Sequence, residues 1–176
     1  MIKIKSNQYR FLHLLLLAMF FLFINNSNAQ PGLPQREITV VPTQPIDFGT
    51  FYVTSAGSIK VDFQGNVTTT GGVISVNTSS VTPAIFEIKL CQGRTVTLSN
   101  VYSVYINGSN GGQLELVIGE AKRDGLGDIL KNGSSFAVDT NCTFTTILRA
   151  GGTLIVPANA VPGIYVGSFP MTFTQQ

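Results

Sequence analysis

An antiparallel β-sandwich behind a cleaved secretory leader is the architecture that we predict for this 176-residue chain. Apolar and polar residues alternate with period two along several stretches, as they do in half-buried strands. Glycine- and asparagine-containing turn pairs separate these stretches, at spacings of about ten residues that are typical of sandwiches. Beyond the leader no stretch has the 3.6-residue periodicity of an amphipathic helix. The length suits one domain or little more.

The first 29 residues have the three parts of a signal peptide. Lys3, Lys5 and Arg10 precede an unbroken apolar run over residues 14–24, and small and polar residues then lead to Ala29. The apolar run is shorter than the roughly 20 residues that a membrane-spanning helix needs. We therefore expect cleavage near Ala29, an exported protein, and no membrane span after cleavage.

Cleavage of the leader changes the net charge of the chain and removes residues that could take part in catalysis. The chain has 11 basic and 9 acidic residues, so removal of three basic residues leaves a net charge of 8 − 9 = −1. A nucleic-acid partner would require a basic stripe, and we expect none. The only histidine, His13, is also lost. Without it, Ser-His-Asp or Cys-His catalysis and histidine-based zinc sites are excluded, and we expect no cofactor, no metal and no enzyme activity.

The cleaved chain divides into an N-terminal arm (30–45), which prolines interrupt, and a sandwich domain (46–176). Ile38 and Val40 alternate in the arm and are candidates for insertion beside an open sheet edge of a neighbour. In the domain, alternation predicts strands that bury two sets of side chains: Ile59, Val61 and Phe63, and Leu114, Leu116 and Ile118.

Residues that favour turns, and one proline in the last strand, predict further details of the fold. The glycine-containing pairs at 107–108, 111–112, 132–133 and 151–152 are predicted to close hairpins. Asp47 precedes an aromatic residue and a glycine, where a carboxylate can cap backbone donors. Pro170 cannot donate to a ladder, so its strand should lie at a sheet edge or contain a bulge. Phe169, Met171 and Phe173 share a face of that strand and are further assembly candidates.

Cys91 and Cys142 remain after cleavage. In an exported protein such a pair favours a disulfide, and the alternative is two buried free thiols. A bridge would close a loop of about 50 residues and contribute roughly 4 kcal/mol to stability in the chain-entropy model.

The segment 119–135 contains much of the local charge and is interpreted as an exposed loop. Its Glu120, Asp124 and Asp128 leave open a weak calcium site or paired carboxylates for glycoside hydrolysis, although their spacing matches no calcium loop. Tyr102 and Tyr105 are candidates for a sugar-stacking surface, but packing in the core or across strands is the more common role of such aromatics.

Four ordered blocks give a family resemblance: "IDFGTF" (46–51), "TTTGGVI" (68–74), "TPAIFEI" (82–88) and the C-terminal "GGTLIVPANAVPGIYVGSFPMTFTQQ". Together they resemble the DUF4402 family of exported bacterial domains, related to Mat/Ecp-type fimbrial subunits. The resemblance covers about residue 38 to the C-terminus. It implies an Ig-like β-sandwich without known catalysis, located in the periplasm, at the cell surface or outside a Gram-negative bacterium.

Two functions follow as hypotheses. The first is a noncatalytic secreted or cell-surface structural protein, similar to a fimbrial subunit, that self-associates or joins other surface proteins through sheet edges or strand donation. The alternative is a secreted monomeric binding module for a glycan or a surface protein.

Overall fold

The computed structural model describes residues 37–90, 94–100, 102–125, 127–139 and 145–176, which lie within one compact unit, 36–176. These residues form twelve β-strands and no α-helix, as predicted. In those ranges, therefore, no helix is available that could cross a lipid bilayer. The strands are β1 (Thr39–Gln44), β2 (Thr50–Val61), β3 (Val67–Asn77), β4 (Ala84–Lys89), β5 (Thr95–Asn100), β6 (Ser103–Gly108), β7 (Gln113–Arg123), β8 (Ile129–Leu130), β9 (Ser135–Ala137), β10 (Thr146–Val156), β11 (Tyr165–Val166) and β12 (Met171–Gln175).

The strands pair in two antiparallel sheets. The larger sheet has the order β1-β4-β10-β7-β6-β11, with β2 joined to β10 and β3, and β8 joined to β7. The smaller sheet has the order β12-β5-β9. Side chains of both sheets share one buried cluster, which includes Ile88 and Leu148 from the larger sheet and Val96, Leu98 and Phe136 from the smaller. The protein is therefore an all-β sandwich, as predicted.

A second buried cluster fills the other half of the larger sheet. It contains two of the predicted inward-facing sets, Ile59 with Val61 and Leu114 with Leu116 and Ile118. Each of these side chains is at most 9% exposed. Period-two alternation thus identified the buried faces of β2 and β7 correctly. The prediction is wrong for Phe63, which follows β2 in a turn and is only half-buried.

Strand β10 joins the two halves of the core because it changes neighbours midway. It pairs with β4 through Ala150 and with β2 from Gly152 onward, while β7 runs beside both parts. The prediction that Gly151 and Gly152 close a hairpin is therefore wrong, since both lie inside β10. A Cβ atom at Gly151 would lie 2.5 Å from the carbonyl oxygen of Val61. Glycine is needed here for close approach of two backbones, which is its other common role in strands.

Two other predicted turns are confirmed. Gly111 and Gly112, between β6 and β7, have φ of +87° and +80°, and Gly133, before β9, has φ of +83°. The predicted cap at Asp47 is also present: its Oδ1 accepts a hydrogen bond of 2.7 Å from the backbone N–H of Gly49. The Asp47-Phe48-Gly49 triplet is thus a structural turn.

Two predictions about exposure are corrected. The charged segment is not wholly a loop, because β7 continues through Arg123 and residues 129–130 form β8. Ala121 is buried three positions after Ile118, so the alternation of β7 changes phase at the register shift opposite Ala150 and Gly152 and then continues into the charged region. Tyr102 and Tyr105 are 79% and 65% exposed, so the prediction of core packing is wrong for both, while packing across strands and sugar stacking stay predictions.

Candidate functional site

The side of the sandwich formed by β1 and β12, which we call the β1–β12 edge, brings the predicted assembly residues to one cluster. Among the described residues, β1 pairs only with β4, and β12 pairs only with β5. Five half-buried side chains from or beside these two strands pack against the core cluster shared by both sheets: Ile38, Val40, Phe169, Met171 and Phe173. This side therefore combines two open strand edges with an apolar interior.

Residues 39–44 of the predicted arm form β1. Val40 lies opposite Ile88 and Pro42 lies opposite Phe86 in an antiparallel register. The side chains of Ile38 and Val40 consequently cover core residues that β4 would otherwise leave open at the edge. The sequence predicts that these two residues insert beside an open edge of a neighbour. In the structure Val40 pairs with β4 of the same chain, and Ile38 packs against the core cluster of the same chain.

Aromatic packing connects the two sheets beneath β1. The Phe86 ring of β4 lies 5.7 Å from the Phe173 ring and 6.4 Å from the Phe169 ring, centroid to centroid. The Phe169 ring is nearly perpendicular to that of Phe86, at 77°. Both arrangements are favourable for aromatic pairs. Pro170 lies between Phe169 and β12, and β12 is at a sheet edge as predicted.

Among the described residues, two side-chain hydrogen bonds of β1 supplement the β1–β4 ladder and the apolar packing of Ile38 and Val40. The Gln44 side-chain amide donates a 2.8 Å hydrogen bond to the carbonyl of Pro83, and the Thr43 hydroxyl donates a longer one, 3.4 Å, to Ile85. The register shifts between Pro42 and Gln44. Since proline lacks a backbone N–H, Pro42 and this bulge make β1 a poor template for a further strand. β1 is better suited to be a donated strand than to accept one.

Cys91 and Cys142 lie outside the described residues, and the disulfide stays a prediction. The described strands that flank them are direct neighbours, because Ile88 of β4 pairs with Thr146 of β10. Cys91 follows Ile88 by three positions, and Cys142 precedes Thr146 by four.

Two of the three carboxylates considered for catalysis or calcium binding, Glu120 and Asp124, form separate ion pairs. Glu120 lies 3.7 Å from Lys131 across the β7–β8 pair, with both side chains largely exposed. The Asp124 carboxylate instead accepts hydrogen bonds from Nε of Arg149, at 2.9 and 3.2 Å. Within the described ranges, no group of three or more potential metal-ligating side chains occurs.

Sequence reasoning missed a turn that builds a second feature of the surface. After β2, Oδ1 of Asp62 accepts the backbone N–H groups of Gln64 and Asn66 at 2.8 and 2.9 Å. Burial raises the pKa of Asp62, but the hydrogen bonds from Asn66, Gln64 and Gly65 outweigh it and hold the pKa below the ordinary value of 3.8.

This turn places two side chains beside the end of β7. The result is an open pocket, which we call the cationic pocket, lined by Phe63, Gln64, Lys122, Arg123, Asp124, Gly125 and Arg149. The sequence motif "DFQGN" is a recognisable carboxylate-capped turn. Nothing in the sequence links it to Lys122 or Arg149, which lie far along the chain.

The fold and edge define the class as an all-β sandwich domain with a peripheral N-terminal strand. Residues 38–174 match the family model described as "Domain of unknown function (DUF4402)". The chain belongs to this family, which confirms the family resemblance read from its four sequence blocks. Comparison with curated proteins and with solved structures gave no significant match.

Proposed function

We propose that this protein is a noncatalytic, exported structural subunit that assembles by donating β1 to β4 of a neighbouring copy. The observation that carries the proposal is that β1 packs against the core but, among the described strands, joins the sheet through β4 alone. Within this proposal the protein resembles a fimbrial subunit and functions at the cell surface. Its partners are other copies of itself or related surface proteins.

Exchange of β1 between copies is energetically balanced. The contacts of Ile38 and Val40 with the core and the β1–β4 ladder are identical whether the strand comes from the same chain or another. The equilibrium then depends on the connecting segment and on protein concentration, as in domain swapping. Head-to-tail donation does not close on itself unless the rotation between copies allows a ring, so it can produce a filament.

Paired cysteines distinguish a self-inserted β1 from a donated one. Val41 and Glu87 are directly opposite in the β1–β4 register. Directly paired residues of antiparallel strands have Cα atoms about 4.5–5.5 Å apart, which suits a disulfide. The double variant Val41→Cys/Glu87→Cys, exported and oxidised at high concentration, is expected to give a ladder of covalent oligomers on non-reducing gels.

The matched control is Lys60→Cys/Thr153→Cys, a directly opposed pair between β2 and β10 inside the sheet. Exchange of β1 leaves this pair within one chain, so it should give covalent monomers only. The unsubstituted chain reports any cross-linking through its native cysteines. If the Val41/Glu87 variant also bonds only within monomers, strand donation is refuted, and the monomeric binding module becomes the better description.

A further inference from the structure

The cationic pocket lies where β10 changes neighbours, on a different part of the molecule from the β1–β12 edge. Its volume of about 490 Å³ falls within the roughly 300–1,000 Å³ typical of small-molecule sites. The Asp62 turn supplies Phe63 and Gln64, β7 supplies Lys122 and Arg123, and β10 supplies Arg149. Strands therefore fix the positions of the three cations, while a hydrogen-bonded turn forms the opposite wall.

Positive charge is concentrated in this pocket. Of the seven Lys and Arg residues in the described ranges, three line it. Asp124 is the only carboxylate among the described lining residues. Arg123 directs its guanidinium to the smaller sheet, so Lys122, Arg149 and Asp124 give a formal charge of 2 − 1 = +1. Lys122 and Arg149 are directly opposite each other on β7 and β10. Like charges opposed across strands destabilise a sheet, and a bound anion would relieve this cost.

Each cation is held in a defined position. The Lys122 ammonium lies 5.5 Å from the centroid of the Phe63 ring, within the range of a cation–π contact. Arg149 is oriented by a bifurcated hydrogen bond from its Nε to both carboxylate oxygens of Asp124. Arg123 donates a hydrogen bond from Nη1 to the carbonyl of Ala137 in the smaller sheet. Pre-positioned donors lose less conformational entropy when they bind a ligand.

We propose that the cationic pocket binds the anionic group of an acidic saccharide. The terminal guanidinium nitrogens of Arg149 and the Lys122 ammonium hold a carboxylate or sulfate, since guanidinium geometry matches such groups. The Gln64 amide and the Phe63 ring contact the sugar. The shared ligand chemistry is an anionic oxygen group on a pyranose ring, and the experiment decides between carboxylate and sulfate.

The distribution of charge around the pocket disfavours a nucleic acid. Glu120 precedes Lys122 by two positions on β7 and points to the same side of the strand. Glu87 pairs with Ile147, which precedes Arg149 by two positions on β10. One carboxylate on β7 and one on the neighbouring strand β4 thus lie near the cations. The positive region is a local site and not the continuous stripe that a phosphate backbone requires.

Calorimetric titration of the full chain with three tetrasaccharides tests the proposal: a galacturonate oligomer, a sulfated heparin-type oligomer and neutral maltotetraose. We expect at least one anionic oligomer to bind, more weakly as salt rises, and the neutral one not to bind. Lys122→Gln and Arg149→Gln should each weaken binding by at least about tenfold, as expected for a lost hydrogen bond to a charged group. The matched control, Lys60→Gln, changes an exposed lysine of the same sheet and should alter affinity less than about twofold.

Asp124→Asn gives a result that a purely structural role would not. It keeps an oxygen that can accept from Nε of Arg149 but removes the negative charge, so Arg149 stays oriented, the formal charge of the pocket rises, and binding should strengthen several-fold. Binding of the galacturonate oligomer alone assigns a carboxylate ligand, and binding of the sulfated oligomer alone assigns a sulfate. The proposal is overturned if the folded protein binds neither anionic oligomer, if maltotetraose binds equally well, or if Lys60→Gln costs as much as Lys122→Gln. It does not depend on strand donation, since monomers present the same pocket.

Discussion

The change of neighbours in β10 makes Gly151→Ala the most informative single substitution for the fold. The added Cβ atom would lie 2.5 Å from the Val61 carbonyl oxygen and 3.0 Å from two backbone atoms of Asp62. These contacts are with backbone, so no side-chain rotation can relieve them. Either β10 must move away from the end of β2, or the Asp62 turn must shift.

The cost can be estimated from core overpacking. Forcing extra atoms into a packed site costs typically about 1–3 kcal/mol. Gly151 is buried and its obstruction is backbone, so we expect the upper end, about 3 kcal/mol. For a domain of this size each kcal/mol lowers the melting temperature by roughly 2–4 °C, which gives a decrease of about 6–12 °C.

Urea and thermal unfolding followed by circular dichroism measure this change. The matched control is Gly127→Ala, because an added Cβ atom there meets no atom within 4 Å and the backbone is not in the left-handed region. This control should be neutral or more stable by up to about 1 kcal/mol, through its effect on the unfolded chain. Equal stability of Gly151→Ala and the wild-type protein would refute the close-approach explanation.

Three further outcomes are expected. The oxidised, exported chain should have a mass lower by two hydrogen atoms through a Cys91–Cys142 bond, and reduction should cost about 4 kcal/mol of unfolding free energy; two free thiols on alkylation would contradict it. Burial raises the pKa of Asp62 but hydrogen bonds hold it below 3.8, so the stability from its carboxylate is present above that pH and lost as the pH falls through the lowered pKa. Asp62→Ala should therefore melt below wild type near neutrality, with the gap closing in acid; a gap that is constant with pH would contradict this. Phe173→Ala should cost about 3 kcal/mol because its half-buried ring packs on Phe86, whereas the exposed neighbour change Thr172→Ala should cost under about 0.5 kcal/mol in the same unfolding assay.

Structural features that depend only on residues close together in the sequence could be predicted from the sequence. Alternation in β7 identified Leu114 and Leu116 as buried, because side chains of a strand point to opposite faces in turn. The Asp47 cap was predicted because its acceptor and donor are two residues apart. Pro170 indicated an edge strand because the missing N–H is a property of the residue itself.

Structural features that depend on contacts between distant segments could not be predicted from the sequence. The sequence of the glycine pair at 151–152 is compatible both with a turn and with a strand that another backbone approaches closely. Only the position of Val61 in the fold shows that the second is the case. The cationic pocket was not predicted, because Phe63, Lys122 and Arg149 are far apart in the sequence and are brought together only by strand pairing.

The sequence by itself determined the all-β class, the buried faces of the principal strands, the family and the absence of a catalytic histidine beyond the predicted leader. These follow from residue identity and from periodicity along a few neighbouring positions. The tertiary structure decided that residues 39–44 form an edge strand, that β10 pairs with β4 and then with β2, and that Lys122 and Arg149 lie opposite each other in one pocket. Each of these depends on contacts between segments far apart in the chain, whose register and packing are set by the free energy of the whole fold.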